Sequence, residues 1–388
     1  MTEIDVSVVM PCLNEEKGIR ICIDKIARVF AAHGVSGEII VADNGSTDRS
    51  RQIAQAAGAR VVEEPVPGYG SAYLRGLSEA RGKYIIIADS DNTYDFNDIP
   101  RFLDALRAGR DFVMGSRFKG TIHKGAMPWA HRYIGNPILS WMTRMFFHTR
   151  LSDIHCGMRA FTRQAYQKMK LHTLGMEFAT EMVVSAITNQ LDIHEIPINY
   201  YPRQGESKLK SFSDAWRHIR FMLIYCPVWL YLIPGLIGFF AGMALLFILL
   251  KGPVLFLGHY WDVHLVVLSS LISIVSYQLV HMGLYAHTFA VGQGLLRQDR
   301  IIQLLQRHFN LEKWLLIGFV FFAAGIAINL LIFWEWFTQN FGPLYRIRES
   351  VLAMTLLVIG LQTMFSSFFL SLLFLKKRES ANGKNTDH

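Results

Sequence analysis

Apolar positions along this chain follow two rhythms. Up to about residue 200 they come in short runs separated by segments with apolar residues at helical spacing, and beyond residue 228 they fuse into long stretches. The short runs at 6–10, 38–42, 60–63, 84–88, 111–116 and 193–200 predict strands. Between them, helices are expected from a cap at Asn14 towards residue 32, with Glu15 and Glu16 in its first turn, and then over 49–57, 70–80, 102–106, 162–169 and 178–189. Residues 151–161 read as a loop or turn, and 202–210 as a polar loop. This alternation predicts an α/β fold built on a doubly wound sheet.

The long stretches at 229–250, 263–289, 314–337 and 351–375 each meet the length of about 20 residues that a membrane-crossing helix needs. Arg297, Arg300, Arg307 and Lys313 lie in one connection and Lys376, Lys377 and Arg378 follow the last stretch, which predicts that both face the cytosol. The other two connections hold only Lys251 on one side and Arg346 and Arg348 on the other. The opening MTEIDVSVVM carries acids and no secretory pattern, so the α/β domain is expected in the cytosol as well. The resulting organisation is an α/β domain over 1–212, an amphipathic segment over 213–227, an all-α membrane domain of four helices over 228–376 and a polar cytosolic tail over 377–388. Segment 213–225, directly ahead of a span, mixes Trp216 and Phe221 with Arg217 and Arg220 and reads as an interfacial helix. Segment 129–147 has a similar mixture, with Arg132 and Arg144 among its rings, and reads either as an interfacial helix or as a core helix. Isolated polar groups inside the spans, such as Gln278, His281, Asn329 and Gln362, read as a conduit or, more often, as helix-packing or interfacial groups, and no function is assigned to them.

Composition narrows the class. A length of 388 residues has room for two domains, and 51% hydrophobic content is high for a soluble chain. A net charge of +8 suits nucleic acid, anionic lipid or a phosphorylated substrate, but the cations flank apolar spans, so no nucleic-acid partner is expected. Cys12, Cys22, Cys156 and Cys226 form no CxxC pair and read as reduced thiols. No G-x-G-x-x-G follows the first strand, which disfavours a dinucleotide-dependent oxidoreductase.

The candidate chemistry sits where the run 84–88 stops at Asp89 and Asp91. The C-terminal edge of a parallel sheet is where ligands bind, and two acids one residue apart can share a hard cation. Taken alone, Asp-Ser-Asp-Asn reads equally as a solvated turn.

Around that turn, VSVVMPCLNEE, DNGSTD, DSD, GSR, DIHCGMRAF, GMEFATEM and RQGESKL succeed one another over residues 6–227. In this order they resemble glycosyltransferase family 2 enzymes of the GT-A fold. The chain is most similar to their polyprenyl-phosphate branch, the dolichyl-phosphate mannose synthases and bactoprenyl-phosphate glucosyltransferases. The resemblance implies that Pro11, Asn14, Glu15, Asp43, Asp89, Ser90 and Asp91 hold a nucleotide sugar, and that Asp89 and Asp91 bind Mg2+ or Mn2+. It further implies that Arg117, Arg132, Arg203, Ser207 and Lys208 engage a lipid phosphate, and that Asp91, Arg117 and Arg203 carry catalysis. The chain departs from the family at Thr93, where close relatives often have a glutamine that assists the metal, and at Tyr94-Asp95-Phe96, where the usual turn is Pro-rich.

The implied reaction moves a hexose from a UDP- or GDP-linked donor to dolichyl or undecaprenyl phosphate, with inversion, in a bacterial or archaeal plasma membrane. A phosphate monoester with a second pKa of about 6 is already a nucleophile near neutrality, so no general base is needed. The partners are thus a nucleotide sugar, a polyprenyl phosphate and membrane lipid. A family 2 enzyme acting on another lipid or polysaccharide hydroxyl would need a base such as Asp153, Glu177 or Glu181. A processive synthase would carry QxxRW, which does not occur, and a non-catalytic scaffold would not need Asp89 and Asp91.

Overall fold

Strand β1 (Val6–Cys12) is a strand because both its faces are buried in apolar surroundings: Val6, Val8 and Met10 join one core and Val9 the other. Around it the computed structural model, which describes residues 4–205, 211–292, 296 and 300–382, places β2 (Gly37–Asp43), β3 (Arg60–Glu63) and β4 (Tyr84–Ile87) in parallel. Helices α1 (Ile19–His33), α2 (Ser50–Ala56) and α3 (Tyr69–Glu79) make the crossovers. The sheet has seven strands in the order β3-β2-β1-β4-β6-β5-β7, with β5 (Phe112–Ile122), β6 (Arg159–Thr162) and β7 (Ile193–Tyr200) completing it.

One core lies beneath α1 and α4 (Ile99–Arg107), where Ile19, Ile23, Ile26, Phe102 and Leu103 meet Val8 and Ile86. The opposite core takes Tyr73 and Leu77 of α3 and, after α5 (Asn136–Phe147) and α6 (Arg163–Met169), Phe178, Met182 and Val183 of α7 (Phe178–Thr188). Each such side chain withdrawn from water contributes roughly 1.5–3 kcal/mol.

Two local expectations are corrected. Asn14 does not cap the first helix, and Glu15 and Glu16 lie ahead of it: α1 begins at Ile19 after Gly18, and Asn14 sits at φ 52° with its side-chain oxygen accepting from the Thr47 and Asp48 amides. Residues 159–161, expected in a loop, open β6, which pairs antiparallel with both β4 and β5 and makes the sheet mixed. A four-residue strand beginning with an arginine carries almost no periodic signal.

The division of the chain falls between Met1–Met222 and Leu223–His388, inside α8 (Ser211–Ile224). The second unit holds four apolar helices long enough to cross a membrane: Val228–Leu250, Val263–Gly292, Leu311–Thr338 and Ile347–Phe374. Their regular parts are α9 (Ile233–Leu250), α10 (Val263–Gly292), α12 (Leu311–Thr338) and α13 (Ile347–Asn382), with α11 (Arg300–His308) in the basic connection. Ser270 and Tyr277 of α10 bond Thr355 and Thr363 of α13, each at 2.6 Å, so these polar groups serve helix packing. A short hairpin, β8 (Val254–Phe256) and β9 (His259–Trp261), joins the first two spans and was not foreseen.

Candidate active site

The site begins at the register of the central strands. Cys12 of β1 lies beside Asp43 of β2, and β4 ends two residues before Asp89, so three strand ends deliver their polar residues to one edge.

Asp89 Oδ1 accepts from Tyr69 Oη at 3.0 Å and Tyr73 Oη at 3.4 Å. Its other oxygen lies so near Gly157 that a Cβ there would come within 2.7 Å, which is why that position tolerates no side chain. Burial, reinforced by the charge of Asp91, pushes the Asp89 carboxyl up to about 6. Ser90 turns away and donates to the Pro11 carbonyl at 2.7 Å. Asn92 takes a left-handed φ of 63° and accepts from Lys25 Nζ at 2.8 Å. Asp91, only 8% exposed, receives the Thr93 amide at 3.1 Å and the Thr93 hydroxyl at 2.6 Å on Oδ1, while its Oδ2 faces Arg203 Nε at 3.6 Å.

Beside this pair, the loop after β1 is stitched to the loop after β2. Ser46 Oγ accepts from the Asn14 amide at 2.9 Å and Ser50 Oγ from the Glu15 amide at 2.7 Å. Asp43 Oδ2 accepts the Arg51 guanidinium at 2.7 Å, whereas its buried Oδ1 has no hydrogen-bond partner among the described residues. Burial alone would raise the Asp43 carboxyl, but the Ser46 and Arg51 donors outweigh it and hold the group below the usual carboxylate range. The result is an ionised acceptor with one oxygen available to a ligand N–H or O–H.

The cations differ in what holds them. Arg117 is buried and forks onto Asp153 through Nε at 2.7 Å and Nη2 at 2.8 Å, with its guanidinium also 5.2 Å from the Tyr200 ring centre. Arg203 binds Glu15 through Nη2 at 2.5 Å and lies against Asp91, so the chain after β7 is latched across the site. That chain also donates from the Tyr201 amide to the Thr93 carbonyl and from the Gln204 amide to the Asp91 carbonyl, each at 2.9 Å. Arg132 rests on its neighbour Tyr133, 5.4 Å from the ring centre. Ser207 and Lys208 lie outside the described residues.

Behind the site, Arg159 is fully buried and bonds three carbonyls, those of Cys156, Ala179 and Ile154, at 2.7–2.9 Å. It thereby shapes the loop that brings Gly157 against Asp89. His155 of that loop packs edge-on against His218 of α8 with ring centres 4.5 Å apart. Burial holds both imidazoles down, His218 to about 4, so both are neutral.

Comparison with known proteins decides the family. The low-salt glycan biosynthesis hexosyltransferase Agl6 of Haloferax volcanii is 39% identical over 367 residues, 94% of this chain and 88% of that protein. This chain belongs to glycosyltransferase family 2. The family's own description, Glycosyl transferase family 2, matches residues 7–173, and its C-terminal transmembrane region matches residues 284–374. A dolichyl-phosphate hexose transferase of Haloferax volcanii is 32% identical over 213 residues, 54% of this chain and 89% of that one. Glucosyl-3-phosphoglycerate synthase from Mycobacterium tuberculosis, solved with Mn2+, UDP and glucosyl-3-phosphoglycerate, covers 57% of this chain and 80% of that one at 24% identity and a TM-score of 0.47.

In this family 2 transferase, Pro11, Glu15, Asp89, Ser90, Asp91 and Arg203 are joined directly by hydrogen bonds or shared neighbours at one strand edge. Asn14 and Asp43 meet through Ser46 on the adjoining loops. The two acids at the edge, Asp89 and Asp91, offer oxygen ligands, which suits Mg2+ or Mn2+ rather than a softer ion. Among the described residues no group of three or more His, Cys, Asp and Glu gathers, so at this edge Asp89 and Asp91 are the pair that would hold an ion, with the rest of its ligands coming from outside the protein. A cation also answers a deficit visible in the site: burial, and after it the charge of Asp91, push Asp89 towards its neutral form, and Arg203 is the positive charge drawn to Asp91. Tyr69, Tyr73 and the holding role of Asp153 escaped the sequence reading, because nothing local in a sequence tells a buried tyrosine hydroxyl or a paired acid from any other.

Proposed function

We propose that this transferase moves a hexose from a nucleotide sugar, UDP-linked ahead of GDP-linked, to a polyprenyl phosphate at the membrane surface. The carrying observation is on the catalytic unit itself. Trp129, Tyr133, Ile138 and Trp141, 48–67% exposed, form an exposed apolar surface along 129–141 with Arg132 among them, and Trp216 of α8 is exposed as well. Rings and cations in that mixture fit a headgroup layer, which would bring the site to where a lipid acceptor is met. The sequence similarity to a protein named dolichyl-phosphate hexose transferase supports the same acceptor class.

In this reading Asp43 accepts from the nucleotide, and Asp89 and Asp91 would hold the divalent cation. The cation supplies Lewis-acid neutralisation of the departing diphosphate. An acceptor phosphate oxygen attacks the anomeric carbon while the bond from that carbon to the diphosphate oxygen breaks, and the electron pair leaves with the nucleoside diphosphate, inverting the centre. Arg203 and Arg132 draw the acceptor phosphate into line, with Ser207 and Lys208 assisting. Arg117, whose fork is occupied by Asp153, contributes rigidity and field beneath them. The catalytic unit and the C-terminus lie on the cytosolic side of the four spans.

The hydroxyl-acceptor alternative loses two of its bases. Both oxygens of Asp153 are on Arg117, and Glu181 accepts from the His172 and Thr173 amides and the Thr173 hydroxyl. Glu177 retains it, because its buried Oε2 has no hydrogen-bond partner among the described residues.

The test is to supply the full chain in proteoliposomes with labelled UDP- and GDP-sugars and with undecaprenyl or dolichyl phosphate. Label is expected in the organic phase, lost with chelator and restored by Mn2+ or Mg2+. Transfer to a hydroxyl acceptor that Glu177→Gln abolishes, with polyprenyl phosphate inert, would overturn the proposal.

A further inference from the structure

We infer that Thr93 is a positioning residue for the cation site: its hydroxyl and amide together pin Oδ1 of Asp91, which fixes Oδ2 as the oxygen presented to the ion. This rests on the reading of Asp91 as a metal ligand.

Both bonds from Thr93 end on the same oxygen, at 2.6 Å from the hydroxyl and 3.1 Å from the amide. The shorter falls in the range of a hydroxyl donating to a carboxylate anion, the stronger class of hydrogen bond. With Oδ1 tied twice, the carboxylate cannot turn over. Its second oxygen points where the Arg203 guanidinium now lies. The holder is itself held. Thr93 is 1% exposed, its carbonyl accepts from Tyr201, and the next residue, the buried Tyr94, accepts from the Gly157 amide at 2.7 Å through its hydroxyl. Asp89 shows the same arrangement, with Oδ1 engaged by two neutral tyrosine hydroxyls.

A glutamine at position 93 would be long enough to reach an ion beside the carboxylates. Threonine is too short to do both tasks, and here its proton is committed to Asp91. In this chain the residue at 93 is thus a holder of Asp91 and not itself a ligand. Groups that hold a ligand in orientation typically matter about 10–100-fold in metal affinity.

The measurement is Mn2+ binding, by electron paramagnetic resonance on the purified full-length protein with UDP present, alongside thermal stability. Thr93→Val preserves the shape and removes the hydroxyl, and Thr93→Ser preserves the hydroxyl and removes the methyl. Mn2+ affinity is expected to fall about 10-fold in Thr93→Val and to stay within about twofold of the parent in Thr93→Ser. The lost turnover of Thr93→Val should return at high Mn2+. A purely structural role would instead lower the melting temperature of both variants without separating them in affinity. Should Thr93→Val not fold, Thr93→Ala carries the same comparison against Thr93→Ser. Equal Mn2+ affinity in parent and Thr93→Val overturns the inference and leaves Asp91 as ligand. A parent protein that binds no Mn2+ with UDP overturns both.

Discussion

Asp89 and Asp91 sit one residue apart and face different surroundings. Asp89 meets two tyrosine hydroxyls and the backbone of Gly157, so burial and its acidic neighbour lift its carboxyl to about 6 from the ordinary 3.8. In the ion-free protein this group contributes most stability below pH 3.8, where both folded and unfolded forms are protonated, and the contribution is lost as pH rises through about 6. A bound divalent cation reverses the preference, because it needs the ionised form. Mn2+ affinity should therefore be flat above pH 7 and fall by up to about tenfold per pH unit below 6, as one proton competes for the site. Titration calorimetry between pH 5 and 8 checks this, and an affinity unchanged across that range would remove Asp89 from the site. Arg117 teaches the complementary lesson. Its fork is spent on Asp153, and the cation that meets the acids of the site, Glu15 and Asp91, is Arg203.

At the scale of elements, the parallel strands and their crossover helices were legible because each has its own period. β6 was not, since a strand of four residues between two neighbours is defined by the gap it fills. The same holds for close helix pairs in the membrane unit. Gly360 of α13 lies so near α12 that a Cβ would meet the Phe322 amide nitrogen at 2.6 Å and the Gly318 carbonyl at 2.7 Å. Small residues at such points let helix backbones approach where lipid offers no hydrophobic drive. Gly360→Leu should cost about 1–3 kcal/mol through overpacking. The expected readout is a lower unfolding temperature in detergent, and an unchanged one would show that the pair separates without penalty.

For the whole molecule, the distribution of cations predicts which connections face the cytosol. The native cysteines are all buried, so an introduced thiol reports its own side of the membrane. Leu257→Cys, at an 80% exposed position in the hairpin between the first two spans, should react with a membrane-impermeant maleimide in intact cells. Ser78→Cys on the exposed face of α3 should react only once the membrane is opened. The reverse pattern would place the catalytic unit outside and remove the nucleotide sugar from its reach.

What the sequence determined by itself is what local physics encodes. Alternating short apolar runs specified strands and helices, long ones specified membrane spans, and the abrupt end of one strand marked Asp89 and Asp91. Hydrophobic period and strand ends are properties of neighbouring residues, so they survive without a fold. Partnership is not such a property. Arg117 found Asp153 across 36 residues and Arg203 found Glu15 across 188, while Thr93 settled on Asp91 through one particular turn. Which acid each cation pairs with, and which carboxylate oxygen is left to meet an ion, depend on through-space distance and burial, and those exist only once the sheet has brought its strand ends together.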